Sequence, residues 1–431
     1  MSRPFSFKSL VYILLLILAA EAVFILPFVL QRVFRPTVLE TFAISNEELG
    51  YCFSIYGIVA LFSYFFGGPL ADRFHPRNLM AIALISTALG GLYLANYPDY
   101  NHLKILYGYW GFTTIFLFWA PMIKATRLWG GRHQQGIAFG YLDGGRGLVA
   151  AGFGSLGVMV FSAIMGNQDL DMTLEIKRTG FRQVILSSSI IVGIIGILVL
   201  LFLKPEKQIE VNTSDKPPKN FNLKGIIAVL KYPSVWLLMI IILCAYTAYK
   251  ATDLFTLYAN TVMQYNDIVS AKLGTSLLFI RPVIGVVIGF MADKTRPSLW
   301  LMLGFLMTIL ASLVFVTDLI NYQKEGLFTI NILVMAIGVY SCRVLYFATL
   351  EESKIPFALT GTAVGLVSII GYTPDIFSGP MFGILVDKPN GVLGLQNAFK
   401  VLAIFSVVGF LASFCLLRIS NGTNSLGDSS L

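Results

Sequence analysis

The chain has 431 residues, 56% of them hydrophobic and only 13% charged, where a soluble protein of this size carries about 25% charged residues. A mean hydropathy of +0.76 argues against a water-soluble fold and for lipid as solvent. The formal net charge of +8 lies beside apolar runs, which fits membrane topology and not nucleic-acid binding.

A helix needs about 20 apolar residues to cross a bilayer. In chain order such runs lie near residues 10–33, 47–70, 78–98, 103–127, 136–165, 181–203, 234–258, 267–290, 298–320, 326–350, 359–386 and 398–418. The first, Leu10 to Leu30, is too long for the apolar core of a cleavable signal and is expected to stay as a span. Between the sixth and seventh runs, Lys204 to Lys224 is polar, Lys-rich and contains Pro217-Pro218. The expected organisation is an all-α membrane protein of about twelve transmembrane helices. A six-helix bundle would cover 1–203, a cytoplasmic linker 204–222, and a second six-helix bundle with a cytoplasmic tail 223–431. Leu223 to Lys231 fits a short interfacial amphipathic helix. Basic residues, led by Lys204, Lys207, Lys216 and Lys219 of the linker, gather on the side shared with both termini, which predicts that both termini are cytoplasmic. The sequons at Asn212 and Asn421 would then face the cytoplasm. Cys52, Cys244, Cys342 and Cys415 each sit in an apolar run without metal-ligand spacing and are read as small packing residues.

The two sets of six spans repeat. Gly68-Pro69-Leu70-Ala71-Asp72-Arg73 after the second run matches Gly289-Phe290-Met291-Ala292-Asp293-Lys294 after the eighth, and Gly136-Ile137-Ala138-Phe139-Gly140 matches Gly361-Thr362-Ala363-Val364-Gly365. The offsets, 293 − 72 = 221 and 361 − 136 = 225, are nearly equal. Parallel halves of this kind hold a substrate site between them near the midplane.

These residues resemble the major facilitator superfamily over essentially the whole chain. The run Gly68 to Arg77 is similar to that family's most specific motif. The resemblance implies two six-helix bundles that rock in alternating access, and a cytoplasmic gate. In that gate an acid and its basic neighbours hold helix ends together by charge. Carried onto this chain, the gate set is Asp72, Arg73, Arg77, Asp293, Lys294 and Arg296, with Glu351 at the end of the tenth run. A narrower resemblance is to the organophosphate:phosphate antiporters, through Asp72-Arg73-Phe74-His75-Pro76-Arg77, Trp119-Ala120-Pro121 with Lys124, and Gly361-Thr362-Ala363 with Gly371-Tyr372. That branch grips phosphate with cations of the first and seventh helices. Here the matching places hold a displaced Gln31-Arg32 and Lys250, about one position off, and the branch's fourth-helix histidine is Leu128. The run Pro356 to Asp375 is also similar to a little-characterised group of bacterial facilitators, which implies the cytoplasmic (inner) membrane of a bacterium as location.

Ionisable residues inside a membrane are expensive and are kept where they face a cavity or a partner. Within the runs stand Glu21, Lys124, Asp143, Arg146, Lys250, Asp253, Arg281, Arg343, Glu351 and Asp375. Asp143 with Arg146, and Lys250 with Asp253, are three apart and share a helix face, which predicts two local pairs. Glu21 has no charged neighbour within a turn, so it is expected to face the interior, carry a proton, or pair across helices. Asp375 follows Pro374 and is expected to carry a proton or pair with Arg281 or Arg343. Arg32, near the outer end of the first run, is read either as a ligand or as a side chain snorkelling to the interface. Glycine-rich fifth and eleventh runs predict close helix packing.

The first functional expectation is a secondary transporter of a small organic anion bearing phosphate, sulfonate or carboxylate. It would be bound by Arg32, Lys124, Lys250, Tyr246 and Arg343, since charge-assisted hydrogen bonds to oxyanions are strong. The alternative is a proton-coupled carrier or exporter of a neutral or cationic solute, with Glu21, Asp143 and Asp375 as acidic groups. The three histidines, His75, His102 and His133, all lie near predicted loops, and no catalytic or nucleotide-binding motif is present. The chain is read as a monomeric transporter and not an enzyme, requiring no cofactor or metal, and using protons or a counter-transported anion as partners.

Overall fold

The computed structural model describes residues 7–130, 135–165, 173–203, 227, 229–317, 319–346, 348–350, 352, 360–388 and 391–422. Within them all regular structure is helical. We number twelve long helices: α1 Ser9–Val33, α2 Asn46–Arg73, α3 Pro76–Leu94, α4 residues 100–130, α5 Gln135–Met165 and α6 Leu174–Phe202. Then follow α7 Pro233–Thr261, α8 Asp267–Lys294, α9 Pro297–Val316, α10 Glu325–Leu345, α11 residues 360–387 and α12 Val392–Gly422. Each occupies one expected span. Ten helices among the described residues are long and apolar enough to cross a membrane, and α2 and α4 supply the remaining two expected positions. The linker 204–222, most of the segment 223–231, Glu351 and the tail beyond 422 lie outside the described residues, as do the side chains of Asp72 and Asp293.

Helices suit this sequence because lipid offers backbone groups no hydrogen-bond partners, so each span must satisfy its own. Their starts are chemically marked. Ser45 and Glu48 form a reciprocal capping box ahead of α2, and Thr173 caps α6. Asp99 caps α4, where the backbone N–H and ring of His102 hold its carboxyl below the usual carboxylate range. Pro76, Pro233 and Pro297 each stand in a first turn, where the missing N–H costs nothing.

Several helices are interrupted. α1 passes through a π-helical turn at Ile25–Val29 that contains Pro27, the residue whose lost N–H disturbs a regular ladder. α4 is π-helical over Phe112–Trp119. α7 tightens to a 3-10 turn at Thr252–Leu254. α11 breaks at Tyr372 and Thr373, before Pro374, as expected for a residue preceding proline.

The chain divides into two compact units, Met1–Val211 with Thr256–Pro282, and Asn212–Phe255 with Val283–Leu431. The expected halves, 1–203 and 223–431, differ from this division in the placement of residues 256–282. Buried bonds explain it: Thr256 donates to the Arg32 carbonyl at 2.9 Å and Thr37 donates to Asp267 at 3.1 Å. In the first unit Phe34 packs against Phe161 and Phe181. Tyr56 and Thr114 share a hydrogen bond at 2.6 Å, as do Thr87 and Thr113 at 2.9 Å.

In the second unit α9 packs along α10 and α12. A methyl group added at Gly338 would lie 2.6 Å from the Gly304 carbonyl oxygen, so these two backbones meet directly. Lipid tails are as apolar as leucine, and such close approach is what holds membrane helices together. The expected glycine packing is mixed in α5: Gly145 and Gly157 face Ile17 and Phe34, whereas Gly144 and Gly152 face open space. Cys52, Cys244 and Cys342 are buried thiols and Cys415 is exposed.

Candidate functional site

The second unit gathers a charged, tyrosine-lined cluster. Tyr246, Tyr249 and Lys250 stand at spacings of three and four on α7 and so share one face. The rings of Tyr246 and Tyr249 stack at 5.9 Å, and Lys250 is only 8% exposed. From the break in α11, Asp375 reaches the same place: its Oδ1 lies 2.7 Å from Lys250 Nζ and accepts from the Tyr246 hydroxyl at 3.0 Å. Tyr372, beside that break, meets Tyr246 edge-on at 4.9 Å and shares a hydrogen bond with the Tyr346 hydroxyl at 3.1 Å. α10 contributes Arg343. Its guanidinium lies over three rings, Tyr246 at 5.4 Å, Tyr249 at 5.1 Å and Tyr346 at 5.2 Å.

The electrostatics are unequal. Lys250, which is buried, and Asp375, which is half-buried, neutralise one another. Arg343 has no acidic partner among the described residues, and its buried Nε makes no hydrogen bond. Ring faces attract a guanidinium and stabilise it when desolvated, yet they leave its N–H donors unused. Lys250, Asp375 and Arg343 together sum to a single positive charge, and Arg343 adds planar donors that suit an oxyanion.

The first unit holds a second buried pair. Arg146 Nε lies 2.8 Å from Glu21 Oε2, and its guanidinium sits over Phe24 at 5.4 Å and Trp119 at 6.0 Å. The predicted Asp143–Arg146 pair is present at 3.7 Å, but the Asp143 side chain is 78% exposed, so the short buried contact is the one to Glu21. Glu21 takes the third of its expected options and pairs across helices. For Lys250, the bond the structure places at 2.7 Å runs to Asp375, where helix spacing had nominated Asp253. That residue is buried in the 3-10 turn of α7. Asp375 meets Lys250 in place of the expected Arg281 or Arg343 because the α11 break aims it at α7; Arg281 is buried in α8, beside Pro282.

The other nominated residues stand elsewhere. Lys124 Nζ donates to the Ala71 carbonyl at 2.6 Å and thereby serves an orphan acceptor in the last turn of α2. Arg32 is buried and so does not snorkel outward; its neighbour Arg35 is buried too and donates from Nε to Asn46 at 2.9 Å. Of the gate set, Arg73 and Lys294 are exposed and Arg77 and Arg296 half-buried, while Glu352 accepts from the Ser298 N–H at 3.2 Å, at the start of α9.

Sequence reasoning missed a polar knot at the far end of the first unit. Lys177 bonds Glu40 and lies 3.4 Å from Asp267, which also accepts from Thr37 at 3.1 Å and Asn260 at 3.3 Å. The sequence signal was available in Asp267 opening an apolar run, but nothing local named its partners.

Comparisons with known proteins agree with this architecture. Residues 11–379 match the family profile of the Major Facilitator Superfamily. The inner membrane protein YihN of Escherichia coli K12 is 26% identical over 412 residues, 94% of either chain, and YqcE of the same organism is 26% identical over 359 residues, 82% of either chain. Among solved structures, a bacterial homolog of the human lysosomal transporter Spinster, inward-facing and unoccupied, superposes with a TM-score of 0.74 at 16% identity, covering 97% of this chain and 99% of its own. The nucleoside transporter NupG gives 0.68 at 15% identity, covering 96% and 100%. Such identities carry the fold alone, and the narrower organophosphate resemblance gains no support from them. The twelve-helix plan, the repeated motifs and the match over residues 11–379 place this chain in the major facilitator superfamily.

Proposed function

We propose that this transporter carries a small organic anion, bearing phosphate, sulfonate or carboxylate, and that Arg343 and Lys250 with Tyr246 form its binding group in the second unit. The observation that carries the reading is Arg343: a half-buried side chain whose guanidinium lies over three tyrosine rings, with a buried, unbonded Nε and no acidic partner among the described residues. A charge kept in a membrane interior without a counter-ion is costly, and an arriving oxyanion supplies one. Transport proceeds by alternating access, with Asp72, Arg73, Arg77, Asp293, Lys294, Arg296 and Glu351 as cytoplasmic gate charges. The protein resides in the bacterial inner membrane, as the names of its E. coli relatives support, with both termini cytoplasmic.

Ligand-linked thermal stabilisation of the purified protein tests this, because a ligand that binds the folded state raises its stability with concentration. Inorganic phosphate, methanesulfonate and acetate should each be compared with a neutral polyol and a quaternary amine. We expect stabilisation by one or more oxyanions and its loss in Arg343→Ala. Stabilisation confined to the neutral or cationic solutes would sink the reading.

A further inference from the structure

We infer that Asp375 is a proton site, and that the proton and the anion load together, one for one. The inference rests on the anion reading above and adds the coupling that drives it. Lys250 is not waiting for a ligand. Asp375 Oδ1 occupies it at 2.7 Å, and the Tyr246 hydroxyl donates to that same oxygen at 3.0 Å. The carboxylate of Asp375 thus stands where a substrate oxyanion would stand, as a surrogate anion built into the site.

An arriving anion that takes Lys250 strips Asp375 of its cation. A carboxylate in a membrane interior left without its partner is unfavourable, and taking up a proton removes that cost. Both of its bonds fall on Oδ1, which leaves Oδ2 as the oxygen to receive the proton. Charge bookkeeping agrees. Lys250, Arg343 and ionised Asp375 sum to a single positive charge, and Lys250, Arg343, protonated Asp375 and a monoanion sum to the same value. These three residues with the anion therefore keep the same summed charge whether the site is empty or loaded, so loading adds no uncompensated ion to it.

Around Asp375, α7 presents Lys250, Tyr246 and, stacked on it, Tyr249, with the buried Asp253 one turn beyond Lys250. α10 presents Arg343, with Tyr346 just beyond its end, and α11 itself presents Tyr372. α12, packed along Pro374–Asp387, carries Lys400, Cys415 and Arg418. Of these, Lys400 bonds Asn397, Arg418 lies over Phe414, and Cys415 is exposed.

The test uses methanesulfonate, whose charge does not change across neutral pH, on the purified full chain. Its apparent affinity is read from thermal stabilisation in a concentration series, from about pH 6 to about pH 9. In the range where Asp375 is ionised, the wild type should lose about tenfold in affinity per pH unit, as binding linked to one proton requires. A pH indicator in weakly buffered solution should register one proton taken up per anion bound. Asp375→Asn should give an affinity that does not vary with pH and no proton uptake. If that variant fails to fold, the wild-type proton count decides alone. Methanesulfonate binding with pH-independent affinity and no proton uptake in the wild type would overturn the coupling and leave the anion reading standing, and so would pH dependence that persists undiminished in Asp375→Asn. No stabilisation by methanesulfonate, acetate or phosphate at any pH would overturn the anion reading and the coupling with it.

Discussion

Lys177 of α6 and Asp267 at the head of α8 form an ion pair at 3.4 Å, and Lys177 bonds Glu40 at the same time. Asp267 is buried and also accepts from Thr37 and Asn260, so its charge is met from three sides. Lys177→Ala removes its only cation among the described residues. We expect a stability loss of about 3 kcal/mol, the low end for a broken buried pair because Lys177 is partly exposed. Adding Asp267→Asn should recover part of the loss, and a double-mutant cycle of thermal midpoints measures the coupling.

Glu21→Gln should behave like a broken interior pair. Arg146 would keep only the exposed Asp143 at 3.7 Å and its stacking on Phe24 and Trp119. The predicted cost is about 3–5 kcal/mol. The pairwise replacement Glu21→Gln with Arg146→Met should be milder than Glu21→Gln alone, since it leaves no buried charge. Denaturation midpoints in detergent would show the reverse order if the pair were already solvated.

Tyr346→Phe isolates the hydroxyl from the ring. It removes the bond to Tyr372 at 3.1 Å but keeps the face on which Arg343 rests. A typical net hydrogen bond is worth about 1 kcal/mol, so stability should fall by about that much, with oxyanion-linked stabilisation retained. Tyr346→Leu, which deletes the face as well, should weaken the linked stabilisation too. Equal effects of the two substitutions would mean that the ring face contributes nothing.

Glycines separate by position. Gly338→Ala would drive a methyl against the Gly304 carbonyl and the Thr308 hydroxyl at 2.6 and 2.7 Å, and overpacking of this kind costs about 1–3 kcal/mol. Gly152→Ala meets open space on α5 and should instead stabilise by about 0.5–1 kcal/mol through helix propensity. Thermal midpoints of the two variants should move in opposite directions.

The helical plan was legible because its signals are local. Apolar run length, proline and serine at helix starts, and the repeated Asp72 and Asp293 motifs each need only a few neighbouring residues. The pairing of charges was not legible, because it is long-range. Helix spacing offered Asp253 to Lys250 and Asp143 to Arg146, three positions away in each case. The close partners came from other helices: Glu21 is 125 positions from Arg146, and Asp375 is 375 − 250 = 125 positions from Lys250. Lys124 shows the same limit from the other side. Its place on α4 suggested a ligand, and a backbone carbonyl of α2, which carries no sequence signature, accepts its proton instead. The aromatic surround of Arg343 was partly visible as a scatter of tyrosines, but only the packing of α7 against α10 brings Tyr246 and Tyr249 onto one guanidinium.

The border between the compact units cuts α7 between Phe255 and Thr256 and α8 between Pro282 and Val283. Each cut falls beside a weakened ladder, the 3-10 turn at Thr252–Leu254 and the proline at 282. A rod missing a rung bends there first. Each of these helices therefore changes unit where its own hydrogen-bond ladder is least regular, and in α7 that irregular turn begins two residues after Lys250, so the residue that holds Asp375 sits at the edge of the rigid part of its helix.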